Sequence, residues 1–184
     1  MRARADQRDF ERRLKEHGGI VSKVAGLYAR GAHDRDDLVQ EICAQAWRSF
    51  ARFDERRAKF STWMYRVALN VAISHLRSAQ RSGAEHLEPL DDVHLETVAG
   101  VDAAQHDALE HDERLATLRA FIAQLDALNR ALVLLYLEDR SYAEIAEVLG
   151  ISETNVATKL NRIKQKLRGQ MTVAATGGTK NGTR

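Results

Sequence analysis

Asn155, Lys159, Arg162 and Lys166 follow one another at intervals of four, three and four residues. On a helix that spacing puts all four on one edge. An amide can hydrogen-bond a base edge and the cations can meet phosphates, so this edge is equipped to grip duplex DNA. A second set, Trp63, Arg66, Asn70 and Arg77, with His75 and Arg81 nearby, shares another helical edge. Aromatic rings among arginines and amides make a stacking platform for unpaired bases, because every base has a π-face. Both sets have an ordinary alternative. Basic helix faces are usually just solvated, and an aromatic at helical spacing belongs more often to a core than to a platform. A third set, Asp37, Gln40, Glu41 and Arg48, lies roughly opposite an apolar stripe; taken alone, it reads as a solvated face.

Catalytic chemistry has no comparable foothold. The chain has no glycine-rich phosphate loop, no nucleophile motif and no carboxylate pair in an evidently apolar setting. His86, His94, His106 and His111 are scattered, and His106 and His111 stand five apart rather than at the i, i+4 spacing of a helical metal site. No metal and no cofactor is therefore expected. The single Cys43 excludes an internal disulfide and a multi-cysteine zinc site. It falls on the apolar side of a helix, where an inert thiol is expected.

The elements that must carry these residues are helical. Ser141 can cap a helix, with Glu144 completing a capping box; Ala143, Ile145, Ala146, Val148 and Leu149 supply its buried side. Gly150 stops that helix, as glycine does where the chain turns with positive φ. Ile151 sits in the turn, and Ser152 caps a second helix with the core stripe Val156, Leu160, Ile163, Leu167. The small Ala146 lets the two helices approach closely. This is a helix-turn-helix whose second helix has an apolar edge for its scaffold and a basic edge for a major groove.

Upstream, residues 6–30 predict two helices broken at Gly18-Gly19, with Phe10 and Leu14 on one and Ile20, Val24, Leu27 and Tyr28 on the next. After a turn at residues 31–34, a helix capped by Asp34 or Asp36 buries Val39, Ile42, Cys43, Ala46 and Phe50. A charged connection over 52–59 precedes a long helix with Phe60, Met64, Val67 and Val71 turned to the core. Leu115, Leu118, Phe121, Ile122 and Leu125 support another helix. Asp126 caps the next, which buries Ala131, Leu132, Leu134, Leu135 and Tyr136.

The 184 residues are 44% hydrophobic, enough for cores, and few β-branched runs alternate with polar residues. The expected fold is all-α, with two small helical domains at 6–81 and 113–169. Residues 82–112 hold Asp and Glu but no Lys or Arg, and read as a flexible acidic linker. Residues 170–184 read as a disordered tail. The net charge is only +2, but it is unevenly distributed. No apolar run reaches membrane-spanning length and the N-terminus lacks a signal peptide's apolar core, so the expected location is the cytoplasm.

With those residues in place, the chain resembles a bacterial RNA polymerase sigma factor of the extracytoplasmic-function group, a compact branch of the sigma-70 family. DLVQEICAQAW resembles region 2.2, FSTWMYRVALNVAISHLR resembles regions 2.3 and 2.4, and SYAEIAEVLGISETNVATKLNRIKQKLR resembles region 4.2. The resemblance implies that Asp37, Gln40 and Glu41 bind the β′ clamp of core polymerase. It implies that Phe60, Trp63, Arg66, Asn70 and Arg77, with Phe53 and Asp54 in the preceding loop, hold the melted −10 strand. Glu153, Thr154, Asn155, Thr158, Lys159 and Arg162 would read the −35 element, with a further contact to the polymerase β flap. Relatives often have an anti-sigma protein. Two positions depart from the family pattern: Ser74 replaces a frequent Asp, and Ala157 opens the segment that is usually basic–small–basic. The alternatives are a stand-alone helix-turn-helix regulator and a small metal-dependent enzyme using the histidines of residues 82–112.

Overall fold

The computed structural model describes the backbone of residues 2–81 and 108–177, and side chains over 7–79 and 115–170. Every regular element among the described residues is a helix. They are α1 (Arg2–Glu16), α2 (Gly18–Tyr28), α3 (Ala32–Phe50), α4 (Phe60–Arg81), α5 (Ala108–Ala123), α6 (Ala127–Leu137), α7 (Tyr142–Leu149) and α8 (Glu153–Gly177). The chain divides into two compact units, one built around α1–α4 and the other around α5–α8.

In the first unit α4 packs on both α2 and α3, which also pack on each other. Ala25, Ala46, Ala68 and Ala72 are wholly buried where these helices meet. Their small side chains let the backbones come close, while Leu38, Ile42, Met64 and Tyr65 fill the remaining space. Each large side chain so buried is worth roughly 1.5–3 kcal/mol of transfer free energy.

Three local expectations need correction here. The break between α1 and α2 falls at His17, not at the glycine pair: the His17 N–H donates to Arg13 O and the His17 carbonyl accepts from Ile20. Gly18 and Gly19 open α2, in a turn where backbone N–H groups lack intrahelical partners anyway. Next, α3 starts at Ala32, ahead of both aspartates expected to cap it. The Asp34 carboxylate instead reaches back past the N-cap Gly31 and accepts the Arg30 N–H at 2.7 Å, one residue before the N–H that a capping-box acid takes. Finally, the buried stripe of α3 centres on Leu38, Ile42 and Ala46. Val39, Cys43 and Phe50 flank it half-buried, so the helix is turned slightly from the expected orientation.

In the second unit α6 packs on α5 and α8, and α5 on α8. Asp126 caps α6 by accepting the Asn129 N–H at 2.9 Å. Ser141 and Glu144 form the expected capping box, and Gly150 adopts φ 67° at the end of α7. Ser152 Oγ accepts the Asn155 N–H at 3.3 Å and so starts α8. Val156, Leu160 and Ile163 are buried as their spacing predicts, while Leu167, the last of the stripe, is only half-buried. Tyr136 is not; it is 38% exposed. Lys164 Nζ sits 4.0 Å from its ring centroid and donates to its hydroxyl at 2.9 Å, so the ring is covered by a cation rather than by the core. Ala143 is exposed too, because α7 turns Ile145, Ala146 and Val148 inward.

Two boundaries also move. Helix α5 begins at Ala108, inside the stretch 82–112 read as linker. Ala108, Leu109 and Glu110 are strong helix formers, and the acids here suit a helix N-terminus. At the other end α8 continues to Gly177 through residues read as a disordered tail. Propagating an existing helix adds a bond per residue without a new nucleus, and Met171 and the alanines that follow favour it. Most of the acidic segment, with His86, His94 and His106, lies outside the described residues, as does the tail beyond 177. Among the described residues no helix is long and apolar enough to cross a membrane, and no group of His, Cys, Asp or Glu could hold a metal ion.

Candidate functional site

Helix α4 sets the first surface. Its inner side carries Met64, Tyr65, Ala68, Leu69 and Ala72, which fixes its rotation and leaves Arg66, Asn70 and Arg77 exposed in a row. From Trp63 to Arg77 the row is about 21 Å long at the helical rise per residue. Stacked nucleotides repeat about every 3.4 Å along one strand, so it matches roughly six of them.

Trp63 heads this row, half-buried, on a floor of aromatic rings. Its ring centroid lies 5.2 Å from Phe60, 5.2 Å from Phe53 and 6.1 Å from Phe50. Phe60 is itself 5% exposed, edge-on to Phe53 at 5.5 Å and beneath His17 at 5.3 Å. Tilted and edge-on ring pairs at these separations are favourable beyond the area they bury. The tryptophan is therefore braced from below, with Phe60 as the brace. Sequence periodicity placed Phe60 in the core correctly and gave no sign of Phe50 as part of the same floor.

The loop at residues 51–59 carries Phe53 and Asp54. Asp54 Oδ1 accepts the Arg56 N–H at 3.0 Å, a local turn of the kind aspartate makes with its own backbone. Arg52, Arg56 and Arg57 are exposed around it. Arg13 of α1, a residue the sequence did not mark, lies against this loop. It pairs with Glu55, takes Asp9 Oδ2 at 2.9 Å on its Nε, and sits 5.7 Å and 5.8 Å from the centroids of Phe53 and Phe60. Burial opposes its charge, but the Asp9 and Glu55 carboxylates outweigh that and hold its pKa above the ordinary value.

On α3, Asp37, Gln40 and Glu41 are all exposed, on the side away from Leu38 and Ile42. Glu41 is not isolated: its Oε2 lies 3.6 Å from His75 Nδ1. His75 Nε2 is 2.7 Å from Asp34 Oδ1, so one imidazole on α4 faces two carboxylates of α3. The sequence placed His75 beside the α4 row; the structure turns it towards α3. Cys43 is half-buried and burial pushes its thiol pKa up, which keeps it protonated and unreactive.

On α8 the first turns present Glu153, Thr154, Asn155, Thr158 and Arg162 exposed, with Lys159 half-buried. The Thr158 hydroxyl donates to Thr154 O at 2.8 Å, so its oxygen keeps lone pairs with which to accept. Lys166 is exposed further along the helix. The side chains that sequence spacing grouped on this edge are together on it.

The chain matches two family descriptions in order, Sigma-70 region 2 over residues 14–82 and Sigma-70 region 4 over residues 115–167. It is 31% identical over 148 residues to the ECF RNA polymerase sigma factor SigW of Bacillus subtilis, covering 76% of each chain. It is 29% identical over 161 residues to the ECF RNA polymerase sigma-E factor of Haemophilus influenzae, covering 82% of each. Among solved structures it resembles CnrH in complex with the cytosolic domain of CnrY, with a TM-score of 0.62 and 24% identity over 93% of this chain and 94% of that one. It also resembles the sigma factor RpoE in complex with the anti-sigma factor NepR from Bartonella quintana, with a TM-score of 0.65 and 18% identity over 90% and 98%. Two helical units in this order, with these matches, make the chain a sigma factor of the extracytoplasmic-function group of the sigma-70 family.

Proposed function

We propose that this sigma factor divides initiation among three surfaces of its two units, taken as residues 6–81 and 113–169. The α3 face of Asp37, Gln40 and Glu41 docks on the β′ clamp of core RNA polymerase. The α4 row of Trp63, Arg66, Asn70 and Arg77, braced by Phe60 and continued by Phe53 and Asp54, holds the unpaired −10 strand. The start of α8 reads the −35 duplex with Glu153, Thr154, Asn155, Thr158, Lys159 and Arg162, while its unit also rests on the β flap. The factor works in the cytoplasm, uses no cofactor and catalyses nothing; it selects the promoter and helps open it.

The observation that carries this reading is Trp63, braced by rings and in line with three exposed polar side chains. A flat ring beside guanidinium and amide groups suits unpaired bases. A regulator that binds only closed duplex has no use for it, which disfavours the stand-alone alternative. On α8, Asn155 to Arg162 spans about 10 Å at the helical rise, within a major groove about 12 Å wide. An inhibitory protein partner is also proposed, since the two solved relatives named above were captured with CnrY and NepR.

The test is run-off transcription with core polymerase on a genomic promoter library, with and without the factor. Factor-dependent starts sharing two spaced elements are expected. Tight sequence-selective duplex binding by the factor alone, with no factor-dependent transcripts, would favour the regulator.

A further inference from the structure

Helix α1 lies almost wholly ahead of the stretch matched to Sigma-70 region 2, and none of the three proposed surfaces uses it. Yet its Arg13 touches the loop at residues 51–59 in two ways. Its guanidinium pairs with Glu55 in the middle of the loop. Its guanidinium carbon also lies 5.7 Å from the ring centroid of Phe53, within the loop, and 5.8 Å from that of Phe60, the first residue after it. Asp9, one helical turn earlier, takes the Arg13 Nε at 2.9 Å and fixes the direction of the side chain. Phe10 anchors the same helix, packing its ring 5.1 Å from Phe50 at the loop's other end. The loop has no regular secondary structure of its own, so such contacts set its shape.

We infer that Arg13 is a positioning residue for base recognition, holding the 51–59 loop in the shape that presents Phe53 and Asp54 to the unpaired strand. This rests on the reading of that loop given under Proposed function and adds to it the strut that sets its geometry. A guanidinium does this where an ammonium would not. Its separate N–H donors bond the Asp9 and Glu55 carboxylates while the cation stays close to both rings, and a compact lysine ammonium cannot span all of them. All four partners, Asp9, Glu55, Phe53 and Phe60, are charged or aromatic, so the contact loses strength if any one is removed. It tightens the loop before DNA arrives, which spares part of the ordering cost on binding.

The experiment uses the full chain with core polymerase and a fork-junction DNA whose single-stranded segment is randomised. Sequences are selected with the wild-type holoenzyme and with Arg13→Ala, Arg13→Lys and Glu55→Gln. Amide hydrogen exchange of residues 51–59 is followed in the same free proteins. Arg13→Ala should speed loop exchange about tenfold, equivalent to about 1.4 kcal/mol, and flatten base preference at one or two positions. Its affinity for core should stay within about twofold, because α3 is untouched. Glu55 is largely exposed, so Glu55→Gln keeps the fold even if Arg13→Ala does not, and it should show the same effects more weakly. Arg13→Lys should rescue only part of the loss. The double variant should lose less than the sum of the two singles, as coupled partners do. Unchanged loop exchange in both Arg13→Ala and Glu55→Gln overturns the strut. Faster exchange with unchanged base preference overturns its part in recognition. A Phe53→Ala control separates the two levels: if that also leaves the selection unchanged, it is the reading of the loop itself that fails.

Discussion

His75 Nε2 lies 2.7 Å from Asp34 Oδ1, and this one hydrogen bond ties α4 to the first turn of α3. The other Asp34 oxygen accepts the Arg30 N–H at 2.7 Å, so a single carboxylate fastens the turn before α3 to the helix proposed to hold the −10 strand. Burial works against the charge on Asp34, but the Arg30 N–H and the His75 contact outweigh it, and its pKa lies below the ordinary value.

A carboxylate with a lowered folded pKa contributes stability that is fully present above its unfolded value, about 3.9. That contribution is lost as pH falls through the lower folded value. Asp34→Asn should therefore be less stable than wild type near neutral pH, and the gap should close below about pH 4. Urea midpoints from pH 7 down to pH 2.5 check this. A gap of constant size across the series would show that the loss is one of packing and not of charge.

Phe60 and Trp63 should separate stability from strand opening. Phe60 is 5% exposed at the centre of the aromatic floor, so Phe60→Ala should cost about 3–5 kcal/mol in chemical denaturation. Trp63→Ala removes a half-buried ring at the rim and should cost less. It should nevertheless abolish most permanganate reactivity of −10 thymines in the holoenzyme complex. Equal losses of stability, or normal opening by Trp63→Ala, would take the stacking role away from this residue.

The α3 face allows a charge reversal. Glu41→Lys alters an exposed side chain, and such changes usually stay within about 0.5 kcal/mol. Helical circular dichroism and the melting temperature should hardly move, while association with core polymerase weakens. The lysine would also face His75, so His75→Gln in the same background checks that the loss comes from the polymerase and not from the imidazole. A variant that unfolds, or binds core normally, contradicts the assignment.

What could be read from sequence is what the chain decides locally. Ser141 and Glu144 are three apart, Gly150 ends α7 with positive φ, and Ser152 caps α8; each depends on a few neighbouring residues. The stripe Val156, Leu160, Ile163 is visible because a helix repeats its faces. What could not be read depends on partners far away in the chain. The sequence around Asp34 shows its local partner, the Arg30 N–H, but not His75, which comes 41 residues later. Tyr136 looked like core because its cover, Lys164, comes 28 residues later. The same holds for Arg13: beyond Asp9 of its own helix, its partners Phe53 and Glu55 lie in the 51–59 loop and Phe60 opens α4. The Gly18-Gly19 pair misled for a further reason: at the start of a helix glycine gives up little, since the first N–H groups have no ladder bond to make.

Two cations on the same edge of α8 should behave differently in DNA binding. Arg162 and Lys166 are both exposed and one helical turn apart. If the N-terminal turns of α8 enter the major groove, Arg162 stands near the limit of what a groove about 12 Å wide can admit. Lys166 then lies about 6 Å further along the axis, beside the backbone. Arg162 can present two donors to a guanine edge, so Arg162→Ala should cost about 1–3 kcal/mol and relax preference at one base pair. Lys166→Ala should weaken all sequences alike, by an amount that shrinks as salt rises. It should lower the slope of log K against log salt by about one unit, the release of one phosphate contact's counterions. The measurement is a pair of binding isotherms for each variant holoenzyme, on a promoter and on the same promoter with one −35 base pair changed, over a salt series. Base-specific loss at Lys166 together with uniform loss at Arg162 would mean that the helix lies deeper in the groove than its first turns. No loss at either would move the −35 contact off this edge of α8.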